Sequence, residues 1–175
     1  VVTEGKTLAE MEDPVALIGE NGTGKSFFAQ CIHNGSPRAK KPYIVINAGT
    51  IAQQDAARVL FGSDDGAKPR MGLFELAGGG TIALQGLGDA SEAFFSCLRQ
   101  VLLQHSYFAV GGVTTIPFSA RLLALVTPEE RRRIPRDLWD QLSVFSLNLP
   151  LLKDRQEDVS TLFRFFLLRE SILMP

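Results

Sequence analysis

Gly19-Glu20-Asn21-Gly22-Thr23-Gly24-Lys25-Ser26 meets the pattern G-x-x-x-x-G-K-[ST] at every fixed position. It follows the apolar run Val15-Ala16-Leu17-Ile18, and a helical pattern opens near Gly24. A strand running through a glycine-rich turn into a helix is the context that makes this short pattern a site. The glycines let backbone N–H groups converge on phosphate oxygens, backed by the positive end of the helix dipole. Lys25 would neutralise the β- and γ-phosphates, and the Ser26 hydroxyl would bind Mg²⁺. Gly19, Glu20, Asn21, Gly22, Thr23, Gly24, Lys25 and Ser26 are therefore the candidate cofactor-binding residues, with ATP or ADP as ligand and Ser26 on the metal side. The plain structural alternative is that the glycines only make a turn. It leaves Lys25 and Ser26 at their offsets unexplained.

Outward from the loop, short apolar runs alternate with helical patterns, which reads as βαβ units around a parallel sheet flanked by helices. Strands are expected at Val15–Ile18, 43–46, 82–84, 107–110, 122–126 and 144–147. Helices are expected at 25–33, 53–60, Glu92–Gln104 and 157–168. In the last of these, Val159, Leu162, Phe163, Phe166 and Leu167 recur at helical spacing, a stripe that reads as core. Gly78-Gly79-Gly80 suits a tight turn with positive φ before the third strand. Pro150 ends the last strand region, and a charged stretch over 153–158 leads into the final helix.

The 175 residues make one domain, or one domain with a fragment of another. Hydrophobic residues at 45% are enough for a real core, and with a net charge of −1 nothing global suggests a polyanion-binding surface. The one dense basic run, Arg131-Arg132-Arg133 with Arg136 after it, reads as a solvated turn or helix end before it reads as a phosphate contact. Two cysteines, Cys31 and Cys97, exclude a disulfide framework and a metal quartet; both lie in apolar helical patterns and are expected as buried thiols of a reducing cytoplasm. His33 and His105 are expected near helix ends. No signal peptide or run of membrane-spanning length is present in this sequence. The chain begins without Met and stops after an apolar helical pattern, as a piece of a longer protein would.

Further phrases fall in a fixed order: His33-Asn34-Gly35-Ser36-Pro37-Arg38, Lys41-Pro42-Tyr43-Ile44-Val45-Ile46-Asn47, Leu60-Phe61-Gly62, and Gly72-Leu73-Phe74-Glu75-Leu76-Ala77. After them come Gly78-Gly79-Gly80-Thr81, Gly111-Gly112, Asp137-Leu138-Trp139, Leu142-Ser143-Val144-Phe145 and Leu149-Pro150-Leu151-Leu152. Over 14–166 this set resembles the central AAA+ domain of bacterial enhancer-binding transcription activators of the nitrogen-regulatory-protein-C type. The resemblance implies a short lead at 1–13, an AAA+ α/β subdomain at 14–150, and at 151–175 a linker with only the start of a helical lid. It also implies self-association as a ring or dimer, ATP bound between subunits, and contact with RNA polymerase in its sigma-54 form. DNA would be met only through a separate helix-turn-helix domain outside this sequence, and a sensory domain would lie N-terminal.

The departures from that pattern fall on its chemistry. The family's third strand ends in Asp-Glu, the Asp supporting Mg²⁺ and the Glu polarising the attacking water. Matched through Gly80-Thr81 and Gly88-Asp89, those positions hold Gln85 and Gly86, so no catalytic residue is assigned. Gln85 can hydrogen-bond a metal-bound water but brings no charge, and Gly86 has no side chain to act as base. Loss of a positioned base costs roughly 10²–10⁴ in rate. Asp89, three residues on, is expected to be out of reach. The family's sensor Asn is matched by Thr127. Its two intersubunit arginines align with Pro135 and Gln141, although Arg136, one residue on, is a candidate arginine finger. The family's Gly-Ala-Phe-Thr-Gly-Ala loop is absent, and 62–72 reads as a short polar turn.

Three readings follow. The first is a regulatory domain that binds ATP or ADP, hydrolyses little or none, and does not remodel sigma-54. The second is an active ATPase or other phosphoryl-transfer enzyme. In the third even binding is gone and the domain serves assembly alone; the short lead before the first strand, where relatives carry residues that pack on adenine, speaks for it.

Overall fold

The computed structural model describes residues 2–64 and 68–154. In chain order the elements are α1 (Val2–Glu10), β1 (Val15–Ile18), α2 (Lys25–Asn34), β2 (Tyr43–Asn47) and α3 (Ala56–Phe61). There follow β3 (Gly62–Ser63), β4 (Arg70–Met71), α4 (Leu73–Ala77), β5 (Thr81–Gln85) and α5 (Glu92–Gln104). The remainder are β6 (Ser106–Phe108), β7 (Thr115–Pro117), β8 (Arg121–Val126), α6 (Pro128–Arg133), α7 (Arg136–Leu142) and β9 (Phe145–Asn148). Five strands make one parallel sheet in the order β2-β5-β8-β1-β9.

Side-chain alternation along each strand splits the core between the two faces of this sheet. Ala16, Ile82, Leu84, Leu122, Ala124 and Val126 pack with α3, α4, α5 and α7, where Phe74, Phe94, Leu98 and Leu138 are buried. Val15, Leu17, Ala83, Leu123 and Leu125 point the other way, onto Leu8 and Ala9 of α1 and Ala29 and Ile32 of α2. Burial on both faces explains why β1, β5 and β8 read as continuous apolar runs. It is also the arrangement that ties the loop after β1 to the ends of β8 and β5.

Several expectations need correction. The strand at 107–110 is not part of the parallel sheet. Its counterpart β6 pairs antiparallel with β7 in a separate hairpin, with Tyr107 buried and Phe108 exposed. That half-buried alternation fits a hairpin and not a central strand. The reversal occurs at His105, whose φ of +50° caps α5. Over 53–60 the chain makes one 3₁₀ turn, Gln53–Asp55, before α3 begins. Cys97 is buried but Cys31 is exposed, because Cys31 and Ile32 lie on different sides of α2. Within 62–72, β3 pairs antiparallel with β4, and 65–67 lie outside the described residues. The lead before β1 is largely helix α1. The expected helix at 157–168 lies outside the described residues.

Among the described residues no helix is long and apolar enough to cross a membrane. His33 does sit in the last turn of α2, and Gly78 does adopt positive φ before β5.

Candidate nucleotide site

The loop leaves β1 at Gly19, whose N–H donates to Val126 O of β8 (3.1 Å). Buried Thr23 braces its middle, with Oγ1 donating to Glu20 O at 2.8 Å. Gly22 and Gly24 stand at φ +83° and +88°, a conformation that costs an L side chain about 1–2 kcal/mol, so glycine is the residue for both. Gly24 then N-caps α2 without a side-chain hydrogen bond. The N–H groups of the first turn have no carbonyl partner within the helix, which leaves them to an outside acceptor.

Beside them lies a cavity of about 470 Å³. Its loop wall is Asn21, Gly22, Gly24, Lys25 and Ser26; its other walls are Asn47, Gln85, Gly86, Leu125 and Glu130. The sheet explains the company: Asn47 pairs with Gln85 and Gln85 with Leu125, so the C-terminal ends of β2, β5 and β8 form one row. Ligands of parallel α/β sheets bind outside these ends. Lys25 Nζ donates to Gly19 O (2.7 Å) and Glu20 O (3.0 Å). Burial lowers the Lys25 pKa, while the carboxylates of Glu130 and Glu20 act to raise it. Gly19 and Glu20 also line a second and more apolar cavity of about 480 Å³, walled by Ile18, Pro128, Leu149 and Pro150.

Gln85 and Gly86 thus stand at the cavity, as their place at the end of β5 implies. Gly86 has φ +66°, and an added Cβ would collide with Asn47 Oδ1. Asp89 is held away by Arg133, whose Nη1 donates to Asp89 Oδ1 at 2.6 Å. Arg136 does not line the cavity; its side chain is 94% exposed, 4.0 Å from Asp140. Among the described residues no group of three or more His, Cys, Asp and Glu could hold a metal alone. Three residues of the cavity wall, Ser26, Gln85 and Glu130, carry the hard oxygens that Mg²⁺ takes alongside phosphate and water.

Two polar lining residues, Asn47 and Glu130, were not among the sequence candidates. Asn47 is placed only by β2–β5 pairing. Glu130 carried a signal, since Thr127-Pro128-Glu129-Glu130 is a capping-box pattern directly after a strand, and the box is formed.

Strand, phosphate-type loop and helix set against a row of parallel strand ends define the nucleotide-binding α/β domain of the AAA+ class. The family model described as the sigma-54 interaction domain matches residues 1–148, and the chain belongs to that family. It is 37% identical over 177 aligned residues to a Nif-specific regulatory protein of Rhodobacter capsulatus, covering 95% of this chain and 31% of that protein. It is also 37% identical to the DNA-binding transcriptional activator HyfR of Escherichia coli, covering 91% of this chain and 25% of HyfR. The chain therefore spans about a third of such relatives or less. Among solved structures, NtrX from Brucella abortus in complex with ADP superposes with a TM-score of 0.83 at 26% identity, covering 96% of this chain and 38% of NtrX. NtrX in complex with ATP gives 0.82 at 26%, over 94% and 39%.

Proposed function

We propose that this chain is the AAA+ module of a bacterial transcription regulator that binds ATP or ADP and hydrolyses ATP slowly or not at all. One observation carries the reading. A complete phosphate cradle, with Lys25 and Ser26 in the cavity wall, faces a strand end, Gln85-Gly86, that brings no carboxylate. Phosphoryl transfer depends on positioning and on charge placed where the transition state develops it, so losing the acids removes turnover before it removes affinity. The ADP- and ATP-bound NtrX structures support the nucleotide part. The triphosphate would lie along Gly22–Ser26 with Mg²⁺ at the Ser26 hydroxyl, and the purine against the apolar cavity of Ile18, Leu149 and Pro150.

Bound nucleotide then acts as a ligand that shifts subunit contacts instead of driving a cycle. Arg136, exposed at the start of α7, is the arginine available to a neighbouring subunit in a ring or dimer. In this reading residues 14–150 are the α/β subdomain, 1–13 its lead and 151–175 the way into the lid. Without the Gly-Ala-Phe-Thr-Gly-Ala segment the module has no loop for sigma-54, so contact with RNA polymerase is of another kind and DNA is met by a separate domain.

The test is thermal melting with ATP beside steady-state phosphate release. ATP at a hundred times its Kd stabilises by about 2.7 kcal/mol, so a raised Tm with release at background is expected. Brisk release abolished by Lys25→Ala would establish an active ATPase. No shift with ATP, ADP or a non-hydrolysable analogue at millimolar concentration would leave assembly as the role. Activation of a sigma-54 promoter by the purified protein would refute the loop argument.

A further inference from the structure

We propose that Glu130 is the carboxylate through which this cavity meets a nucleotide-bound divalent cation, in place of the acids missing from the end of β5. The inference rests on the nucleotide reading above and adds to it a cation requirement set by one residue.

Among the described residues Glu130 is the only acid lining the cavity, which it shares with Lys25, Ser26 and Gln85. Two local devices aim it there. First, the chain turns at the end of β8 into α6, and Glu130 Oε2 accepts the Thr127 N–H at 2.7 Å while Thr127 Oγ1 accepts the Glu130 N–H at 3.1 Å. This reciprocal pair draws the side chain back toward the strand ends. Second, α6 closes over the turn that follows β5. A Cβ at Gly88 would lie 2.7 Å from Glu130 Cγ and 3.0 Å from its Cα, so any other residue there would push Glu130 away. The cap occupies one carboxylate oxygen, and a carboxylate carries a second with its own lone pairs.

The neighbouring acids are otherwise placed. Asp89 and Glu129 both reach Arg133, at 2.6 and 3.6 Å, and Glu20, whose charge also acts on Lys25, lines the second, apolar cavity and not this one. The charge of Glu130 is felt at Lys25, whose ammonium it favours. Mg²⁺ is usually held by phosphate oxygens, one or two carboxylates and several waters, a set that one glutamate completes.

The sign of the effect follows from charge. With no cation, a glutamate in the phosphate cavity repels the nucleotide. With a cation on the phosphates, it attracts the complex. Glu130 therefore makes affinity depend on the cation.

Equilibrium titration of a fluorescent N-methylanthraniloyl-ATP, in Mg²⁺ and in EDTA, tests this on the chain and on Glu130→Gln. Glutamine also completes a capping box, so the variant keeps its fold, and an unchanged Tm without ligand verifies that. Wild type is expected to bind more tightly in Mg²⁺. In Glu130→Gln this preference should shrink by about tenfold, the scale of one partly screened unit charge, with binding weaker in Mg²⁺ and tighter in EDTA. An unchanged Mg²⁺ preference, or an equal loss in both buffers, would overturn the role of Glu130 while leaving nucleotide binding intact. No binding by either protein in either buffer would overturn the nucleotide reading and this proposal together.

Discussion

At the end of β5, Gly86 holds φ +66° with Asn47 Oδ1 in the space of its missing side chain. A non-glycine residue held in such a conformation costs about 1–3 kcal/mol, and the collision with Asn47 adds to it. Gly86→Ala should therefore lower unfolding stability by at least about 1 kcal/mol in chemical denaturation; wild-type stability would mean that the turn relaxes. Gly86→Glu cannot simply restore a base, because the same backbone and the same asparagine stand in its way. That position 86 offers no chemistry is legible in the sequence. That Asn47 fills its place is not, because the two residues meet only through strand pairing between β2 and β5.

The elements around the sheet are tied by a few charged side chains. Arg121, at the start of β8 and almost fully buried, donates from Nη2 to Leu8 O (2.6 Å) and from Nε to Asp13 O (3.2 Å). It thus clamps the end of α1 and the segment before β1 to the end of the strands opposite the cavity. Glu12, in turn, pairs with Arg38, which also donates to Ser119 O at 2.6 Å. Hydrogen bonds to charged groups contribute about 1.5–3 kcal/mol each. Arg121→Met should free α1 while the sheet persists, seen as faster amide hydrogen exchange over 2–10 with β8 still protected. Equal protection of α1 in the variant would show that its apolar contact with α2 suffices. The helix pattern of α5 could be read from spacing, and its Ser91 cap closes on the Phe94 N–H. Short elements such as α1, α4, α6 and α7 could not, since each is too brief for periodicity to stand out and draws its stability from tertiary contact.

At the scale of the whole fold, two apolar layers clasp one parallel sheet, and polar side chains link helix to strand within them. One is buried His33 of α2, whose Nδ1 lies 2.9 Å from Thr81 Oγ1 of β5, beside the ring of Tyr43 at 5.1 Å. Burial pushes the imidazole below its ordinary value, against a hydrogen bond with the Lys41 backbone that raises it. The folded state therefore binds a proton less readily than the unfolded chain. Stability is full above about pH 6.5 and declines as pH falls from there toward the folded pKa. His33→Gln, which keeps a polar partner for Thr81, should flatten denaturation midpoints across that window; an unaltered slope would assign it to other groups. The Tyr43 hydroxyl, raised to about 12 by burial, titrates far outside the window. Asp137, lowered by its hydrogen bond with Arg99, loses its contribution only at more acidic pH.

The sequence by itself determined the loop, the alternation of strands and helices, and the absence of acids at 85 and 86. These are local facts: fixed residue offsets, apolar runs, and side chains that either exist or do not. Only the tertiary structure decided that β6 leaves the main sheet, that Asn47 blocks Gly86, and that Glu130 enters the cavity. Each of these depends on which strands pair and on how closely α6 packs over Gly88, contacts between residues 39 and 42 positions apart in the last two cases. Side-chain spacing along one element carries no record of such approaches, because they are selected by the shared burial of both faces of the sheet.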